Sequence, residues 1–278
     1  MIRPMHACDL AAVHGLAQRM SWPHRPEDCA TLFELGNGAV AVDEKGETVG
    51  VGMRWTFGRD TGTVGMVLVA PERQGKGIGR ALMTTLISEL APRALLLNAT
   101  AEGLGLYEKL GFVPTGLVRQ HQSPWWLASA TPPAPTIPVR RAVPADHASL
   151  CVLDAAAFGA DRSALIARLL AAGEAWLVER SGRPAGFAAL RTFGRGRMIG
   201  PVVAASEDLA IALVSAAARA VPPGLLRIDV PAHADRLGSW LAAAGLPSVD
   251  IVTAMVRGNW PATQKELQRF GLALQALG

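Results

Sequence analysis

Between Val67 and Leu82 the chain reads Val-Leu-Val-Ala-Pro-Glu-Arg-Gln-Gly-Lys-Gly-Ile-Gly-Arg-Ala-Leu. An apolar run stops at Pro71, and glycines at 75, 77 and 79 lead straight into a helical pattern. That arrangement suits an anion. Glycines let the backbone approach a ligand, and free N–H groups at a helix N-terminus point toward it. Lys76 and Arg80 add positive charge. The helix dipole contributes roughly 0.3–1 kcal/mol to such a site, and up to about 2 when partly buried. A tight strand-to-helix turn without a ligand is the other reading, and it gains nothing from three alternating glycines. The loop fits neither a Walker phosphate loop, because Gly77 follows Lys76, nor a dinucleotide fingerprint, because the third glycine comes one position early. A second reactive candidate is Tyr107, the single tyrosine of the chain.

Several elements must position these residues. Leu10 to Met20 has apolar residues at helical spacing behind Asp9 as a cap. Gly38–Asp43, Thr48–Phe57 and Thr63–Val69 read as an antiparallel meander with turns at 43–46 and 58–62. A helix follows from about Ile78 to Leu90, with Ile78, Leu82, Leu86 and Leu90 on one face. Ala94–Asn98 is a wholly apolar strand suited to the middle of a sheet. Glu102 to Lys109 is a second helix, closed by Gly111. The order αβββαβα gives a mixed α/β (α+β) layer architecture.

The chain has 278 residues, 50% hydrophobic and 18% charged, which excludes intrinsic disorder and suggests two domains. No uncharged apolar run reaches the length of a bilayer span, so no membrane role is expected. The net charge of +4 is mild and its arginines are scattered, which disfavours nucleic acid as a partner. Cys8, Cys29 and Cys151 form no disulfide framework, and a reducing cytoplasm is the plain reading. The six histidines show no metal-ligand spacing, so no metal is expected.

Ala130 to Pro138 carries four prolines and reads as an extended linker. It leaves a first domain at 1–129 and a second at 139–278, and the two resemble each other. Ile2-Arg3 and Asp9 match Val139-Arg140 and Asp146. Thr56-Phe-Gly-Arg59 matches Thr192-Phe-Gly-Arg195, and Gly65 to Val69 matches Gly200 to Ala204. Order and offset are kept, as in a tandem duplication. The second copy lacks the glycine loop. Ala204-Ala-Ser-Glu-Asp-Leu stands there instead, and Leu241 stands near the position of Tyr107. Glu207 and Asp208 oppose a phosphate and suit an empty helix N-terminus. Asp161 and Arg162 either cap a helix and pair on the surface or contact an acceptor. Thr263 and Glu266 read as a capping box for a C-terminal helix with Leu267, Phe270, Leu274 and Leu277 on its apolar stripe.

Gln74-Gly-Lys-Gly-Ile-Gly79 resembles the Q/R-x-x-G-x-G/A signature of the GNAT superfamily of acyl-CoA-dependent N-acetyltransferases. Leu106-Tyr107-Glu-Lys-Leu-Gly-Phe112 is similar to a second hallmark of that family, in the expected order. The resemblance covers residues 1 to about 127. It implies two tandem GNAT-like domains, each a mixed central sheet flanked by helices, the first catalytic and the second degenerate. It also implies acetyl-CoA as co-substrate, with the pyrophosphate on Gln74, Gly75, Lys76, Gly77, Ile78, Gly79 and Arg80. The backbone of Val67, Leu68 and Val69 would hold the pantetheine arm and polarise the thioester carbonyl. Tyr107 matches the position that protonates the departing thiolate, although its ring could simply pack a helix. Thr100 lies where many members carry Asn.

On the acceptor side the expectations spread. Many family members carry a carboxylate on the strand corresponding to Thr63–Val69, and this strand has no ionisable group. His24, Glu27, Asp28, Glu34 and His121 lie in segments that border the acceptor pocket in the family, and each could equally be a solvated surface residue. Trp22, Trp125 and Trp126 lie in the same segments and either line a pocket or pack between domains. The expected activity is acetyl transfer to a primary amine of a small, partly apolar molecule, by direct attack. The alternative is a non-catalytic acyl-CoA-binding sensor or scaffold.

Overall fold

The computed structural model describes residues 1–128, 132–264 and 266–278; the first two residues expected in the linker, Ala130 and Thr131, lie outside them. The first half runs β1 (Ile2–Pro4), α1 (Leu10–Arg19), α2 (Pro26–Leu35), β2 (Asn37–Val42), β3 (Thr48–Phe57), β4 (Thr61–Val69), α3 (Ile78–Leu90), β5 (Ala94–Ala99), α4 (Leu104–Lys109) and β6 (Val113–Trp126). The second half repeats that order: β7 (Val139–Arg141), α5 (His147–Phe158), α6 (Ser163–Ala171), β8 (Gly173–Arg180), β9 (Arg183–Phe193), β10 (Gly196–Ala204), α7 (Glu207–Arg219), β11 (Gly224–Pro231), α8 (Asp235–Ala243) and β12 (Ser248–Arg257). A thirteenth strand, β13 (Gln268–Gly271), has no counterpart.

The repeat is exact in its polar anchors. Arg3 clamps Asp9 with two hydrogen bonds of 2.8 and 2.7 Å, and Arg140 clamps Asp146 at 2.8 and 2.9 Å. Each carboxylate also accepts a backbone N–H three residues upstream, from His6 and from Val143. Asp9 therefore ties β1 to the entry of α1. Its side chain does not cap α1 in the way the sequence suggests.

The two expected sheets are joined into one of 13 strands. Its order is β1-β2-β3-β4-β5-β12-β6-β11-β10-β9-β8-β7, with β13 paired to β10 off that path. In the middle the halves exchange their last strands. β5 of the first half pairs antiparallel with β12 of the second, Ala99 opposite Thr253, and β11 of the second pairs with β6 of the first, Ile228 opposite His121. β6 and β12 then pair antiparallel with each other, Val118 opposite Val252. The result is a pseudo-twofold about the β6–β12 seam. α2 and the long strand β6 go beyond the order read from sequence, since Pro114 and Pro124 and a run of polar residues disguise β6.

Among the described residues the expected C-terminal helix is absent. Leu267, Phe270, Leu274 and Leu277 have helical spacing, but residues 268–271 are strand and 275–277 a turn. Tertiary hydrogen bonds decide against the local pattern, because this segment lies where it can complete the second half's sheet. No described helix is long and apolar enough to cross a membrane.

Packing is tight behind the glycine loop. Leu82, Met83, Leu86 and Leu90 of α3 are fully buried against the first half's sheet. Each such side chain contributes roughly 1.5–3 kcal/mol of transfer free energy. The loop thus stands on a rigid helix.

Candidate active site

β4 and β5 are parallel neighbours for three residues only, Thr61 to Thr63 opposite Ala94 to Leu96. Beyond that point they diverge and leave a wedge. At its start β4 bulges: Val51 faces Leu68, yet Met53 faces Gly65, so β4 carries one residue more than β3 across that interval. Met66 takes up the irregularity with φ of +52°. Such a backbone is strained for a bulky side chain, and bulges re-aim the groups of the strand beside them. Val67, Leu68 and Val69 follow on that re-aimed edge. Met66 is invisible to sequence reasoning, since nothing in its type asks for a positive φ.

The loop after β4 is an irregular turn that leads directly into α3. Gly75 and Gly77 have φ of +74° and +79°, and a Cβ on either would meet nothing within 4 Å. Their need is backbone freedom beside open space. Gly77 is the N-cap of α3, and the first helical bond runs from Ala81 N–H to Gly77 O at 3.0 Å. The N–H groups of Ile78, Gly79 and Arg80 therefore have no acceptor within the helix. Gln74 is fixed by its Nε2 donating to Val69 O at 3.1 Å. Lys76 and Arg80 are exposed, and a groove of about 390 Å³ beside Lys76 is lined by Arg73, Lys76, Gly77 and Ile78, with Asp43 pairing Arg73 at 2.9 Å on its wall. These donors, charges and open space fit a diphosphate.

Tyr107 sits on α4, just past the end of β5. Its ring meets Phe112 edge-on at 6.1 Å between centroids. Gly103 gives it room, because a Cβ there would come within 2.8 Å of the ring. Burial pushes its phenol up to about 12. Thr100 closes β5, and its carbonyl accepts the N–H groups of Gly103 and Leu104 at 3.1 and 3.2 Å.

In front of the wedge lies a cavity of about 310 Å³. Val64, Gly65 and Met66 of β4 and Asn98 and Thr100 at the end of β5 form one end. Gln120 and Gln122 of β6, with Asp250 of β12, form the floor. Phe193, Arg195, Leu225 and Arg227 of the second half form the other end. Trp22 and His24 cover it, stacked at 5.7 Å, and Phe193 meets the His24 ring edge-on at 5.1 Å. Burial pushes His24 down to about 4, against the pull of Asp28. The imidazole is therefore neutral at pH 7, and its Nδ1 is buried without a partner.

Of the eight acceptor-side residues named from sequence, the structure brings Trp22 and His24 to this cavity. Glu34 pairs with Arg168, and Trp126 is buried with its Nε1 donating to Ala218 O at 3.0 Å. His121 is turned to the opposite face of β6, where its Nδ1 lies 2.8 Å from Leu246 O and it packs toward Gly238 of α8. Strand alternation explains this: Gln120 and Gln122 point forward, so His121 points back. Glu27 is exposed in the first turn of α2, and Trp125 is 67% exposed. Asp28 is structural. Burial opposes its ionisation, but hydrogen bonds from Arg25 and from the backbone of Arg25 and Gly194 outweigh this and hold its carboxyl below the usual range. Gln120, Gln122, Arg227 and Asp250 were missed because their strands were not recognised.

In the second half the corresponding wedge is filled. β10 pairs with β11 from Arg197 to Ile199, bulges at Gly200–Pro201, and then takes β13 as its neighbour, Val202 opposite Gly271. Leu272 N–H continues to Asp229 O of β11 at 2.9 Å, so β13 bridges both arms of that wedge. Glu207 and Asp208 occupy the first turn of α7, where Ser206 caps the helix. Glu207 also accepts the N–H of Leu237 in α8 at 2.8 Å, and Asp208 pairs with Arg236. The counterpart of the front cavity is filled too. Arg162 lies there fully buried, gripping Asp154 at 2.7 and 2.8 Å and the carbonyls of Leu277 and Gly278. It neither pairs on the surface nor reaches an acceptor, whereas Asp161 caps Ser163 N–H at 2.8 Å as expected.

Two family models, both described as acetyltransferase (GNAT) domain, match this chain at residues 35–114 and 150–271, one in each half. The chain is a tandem member of the GNAT superfamily. As a GNAT protein it is an acyltransferase enzyme with an acyl-CoA co-substrate. It is 28% identical over 250 residues to the uncharacterized N-acetyltransferase YitH of Bacillus subtilis, covering 88% of this chain and 87% of that one. Among solved structures, a candidate acetyltransferase of Pyrococcus horikoshii superposes with a TM-score of 0.79 at 22% identity, over 100% of this chain and 95% of the other. A GCN5-related N-acetyltransferase of Sphaerobacter thermophilus gives 0.62 at 16% identity, over 95% and 96%. These GNAT structures share the fold over both halves.

Proposed function

We propose that this tandem GNAT uses its first half to move an acetyl group from acetyl-CoA to a primary amine of a small molecule, by direct attack. The observation that carries the reading is the contrast between the wedges. β13 completes the sheet in the second, while the first holds no strand and opens on a cavity of about 310 Å³. The tail after β13 reaches the first wedge, where Ala276 packs on Gly65 and Asn98 Nδ2 donates to Gln275 O at 2.7 Å, and its residues Leu274 to Ala276 line one wall of the cavity without filling it.

Acetyl-CoA supplies an activated thioester. The N–H groups at the start of α3, with Lys76 and Arg80, bind its diphosphate, and the β4 edge from Met66 to Val69 orients its acyl arm. The amine attacks as the free base, its ammonium proton having gone to solvent. An N–C bond forms as the C–S bond breaks, the thiolate takes the Tyr107 proton, and the further proton lost by the new amide nitrogen returns to Tyr107 through solvent. Tyr107, protonated far above neutral pH, is ready to give that proton. The cavity is closed by residues of both halves, which suits a small acceptor and excludes a folded protein surface.

The test is thiol release by the purified protein with acetyl-CoA and a panel of small amines, beside intact proteins bearing exposed lysines. Turnover with small amines is expected. Acetylation of protein lysines alone, or acetyl-CoA binding confined to the second half, would overturn the reading.

A further inference from the structure

The front cavity carries opposite charges at opposite ends. Asp250 lies beside the wedge mouth, opposite Gln120 in the β12–β6 ladder. Arg227 lies on β11, opposite Gln122, at the far end. Two strand spacings separate β12 from β11, about 10 Å. The middle of the cavity is covered by Trp22 and Phe193.

The far end is richer in donors than its internal pairing uses. Arg227 is 7% exposed, and its Nε and Nη2 hold Asp229 at 2.9 Å each, with Nη1 left over. Arg195 is exposed at the cavity rim and has neither a hydrogen bond nor an ion pair among the described residues. Its hairpin is not a loose one. Gly194 N–H donates to Asp28 Oδ2 at 2.9 Å, which holds Arg195 against the first half. Three residues lining the cavity also bury a polar atom without a partner: His24 Nδ1, Asn98 Oδ1 and Gln275 Nε2. His24 is only 7% exposed. Unmatched buried polar atoms in a cavity of this size are what a polar ligand would satisfy.

We infer that the acceptor is an elongated amino carboxylate, its amine at the Met66–Asp250 end and its carboxylate on Arg195 and Arg227 about 10 Å away. The second half then reads the substrate that the first half acetylates. The inference rests on the reading of the first half as the catalytic one. Arginine suits the task because its planar fork matches a carboxylate. The hairpin residue Arg59, the sequence counterpart of Arg195, does not line this cavity.

The experiment compares 8-aminooctanoate with 8-aminooctanamide, by calorimetric titration into the full chain and by turnover with acetyl-CoA. The acid should bind about ten-fold or more tightly than the amide, as a charge-assisted hydrogen bond predicts. Arg195→Gln should reduce that ratio to about threefold or less, and Arg59→Gln should keep it. Equal binding of acid and amide to the wild-type protein, or a ratio that survives in Arg195→Gln, overturns the inference. The two readings fail separately. Acid-selective binding without turnover of any amine removes the catalytic reading and the acceptor role with it, leaving only a carboxylate site on Arg195 and Arg227, whereas turnover indifferent to the carboxylate removes this inference and keeps the catalytic reading.

Discussion

Asp28 Oδ2 accepts the backbone N–H of Gly194 at 2.9 Å, a bond between halves of the chain more than a hundred residues apart. Gly194 is held so closely that a Cβ would come within 2.8 Å of Pro23 O, and its φ is +54°. The motif Phe-Gly-Arg, repeated in the sequence at 57–59 and 193–195, is thus an interlock in its second copy. Asp28→Ala removes a charged acceptor and should cost about 2 kcal/mol in denaturant unfolding at pH 7. The same change frees the hairpin that carries Phe193 and Arg195, so the acceptor KM should rise. An unchanged midpoint would show that the bond carries no net stability.

Tyr107→Phe should lower kcat by a factor of about 10² to 10⁴ while leaving acetyl-CoA affinity nearly intact. Because burial pushes the phenol up to about 12, the wild-type rate should show no loss from Tyr107 ionisation near neutral pH. Full kcat in the variant, in a chemistry-limited assay, would remove Tyr107 from the proton transfer.

Titration with acetyl-CoA should give one site per chain. Gly77→Val should abolish it, since φ of +79° excludes a β-branched residue. Gly79→Ala separates folding from binding: its Cβ would meet Leu106 at an ordinary 3.6 Å, so the fold should persist while affinity falls. Two equivalent sites would mean that β13 can leave its wedge.

His24 gives the protein an acid sensitivity of known sign. The native imidazole titrates at about 4 and the unfolded one near 6.5, so the unfolded state binds a proton first. Its contribution is complete above pH 6.5 and is lost as pH falls toward 4, by about 3 kcal/mol. Urea unfolding across that range should show the decline, and His24→Phe should flatten it. Identical slopes for both proteins would exclude His24 as the source.

Arg162→Met leaves the Asp154 carboxylate buried and alone, which should cost about 3–5 kcal/mol. Joint replacement by Arg162→Met and Asp154→Leu should recover most of that loss. Thermal unfolding of the single and double variants checks the cycle.

Legibility in the sequence followed the range of the forces involved. Gly75, Lys76 and Gly77 announced their loop because positive φ asks for glycine locally, and Arg3–Asp9 and Arg140–Asp146 announced the repeat because both partners lie six residues apart. The front cavity was mostly hidden. His121 was selected by its chemistry, but a strand's alternation turned it away and brought the less reactive Gln120 and Gln122 forward. β13 was hidden for the opposite reason: its local spacing was good for a helix, and only the vacant wedge between β10 and β11 made a strand better.

The exchanged strands also tie the enzyme to the timing of its own synthesis. β5 obtains its outer neighbour only when Thr253 meets Ala99, about 150 residues later in the chain. At roughly 5–20 residues per second, a ribosome takes on the order of ten seconds to cover that interval. During it the first half has every residue of its glycine loop but carries an open edge on β5 and a β6 whose two neighbours, β11 and β12, both come from the second half. Nascent chains are thus exposed to edge-to-edge pairing with one another, and a message truncated before residue 248 should yield aggregates or chaperone-bound chains, with no half-sized enzyme among the products.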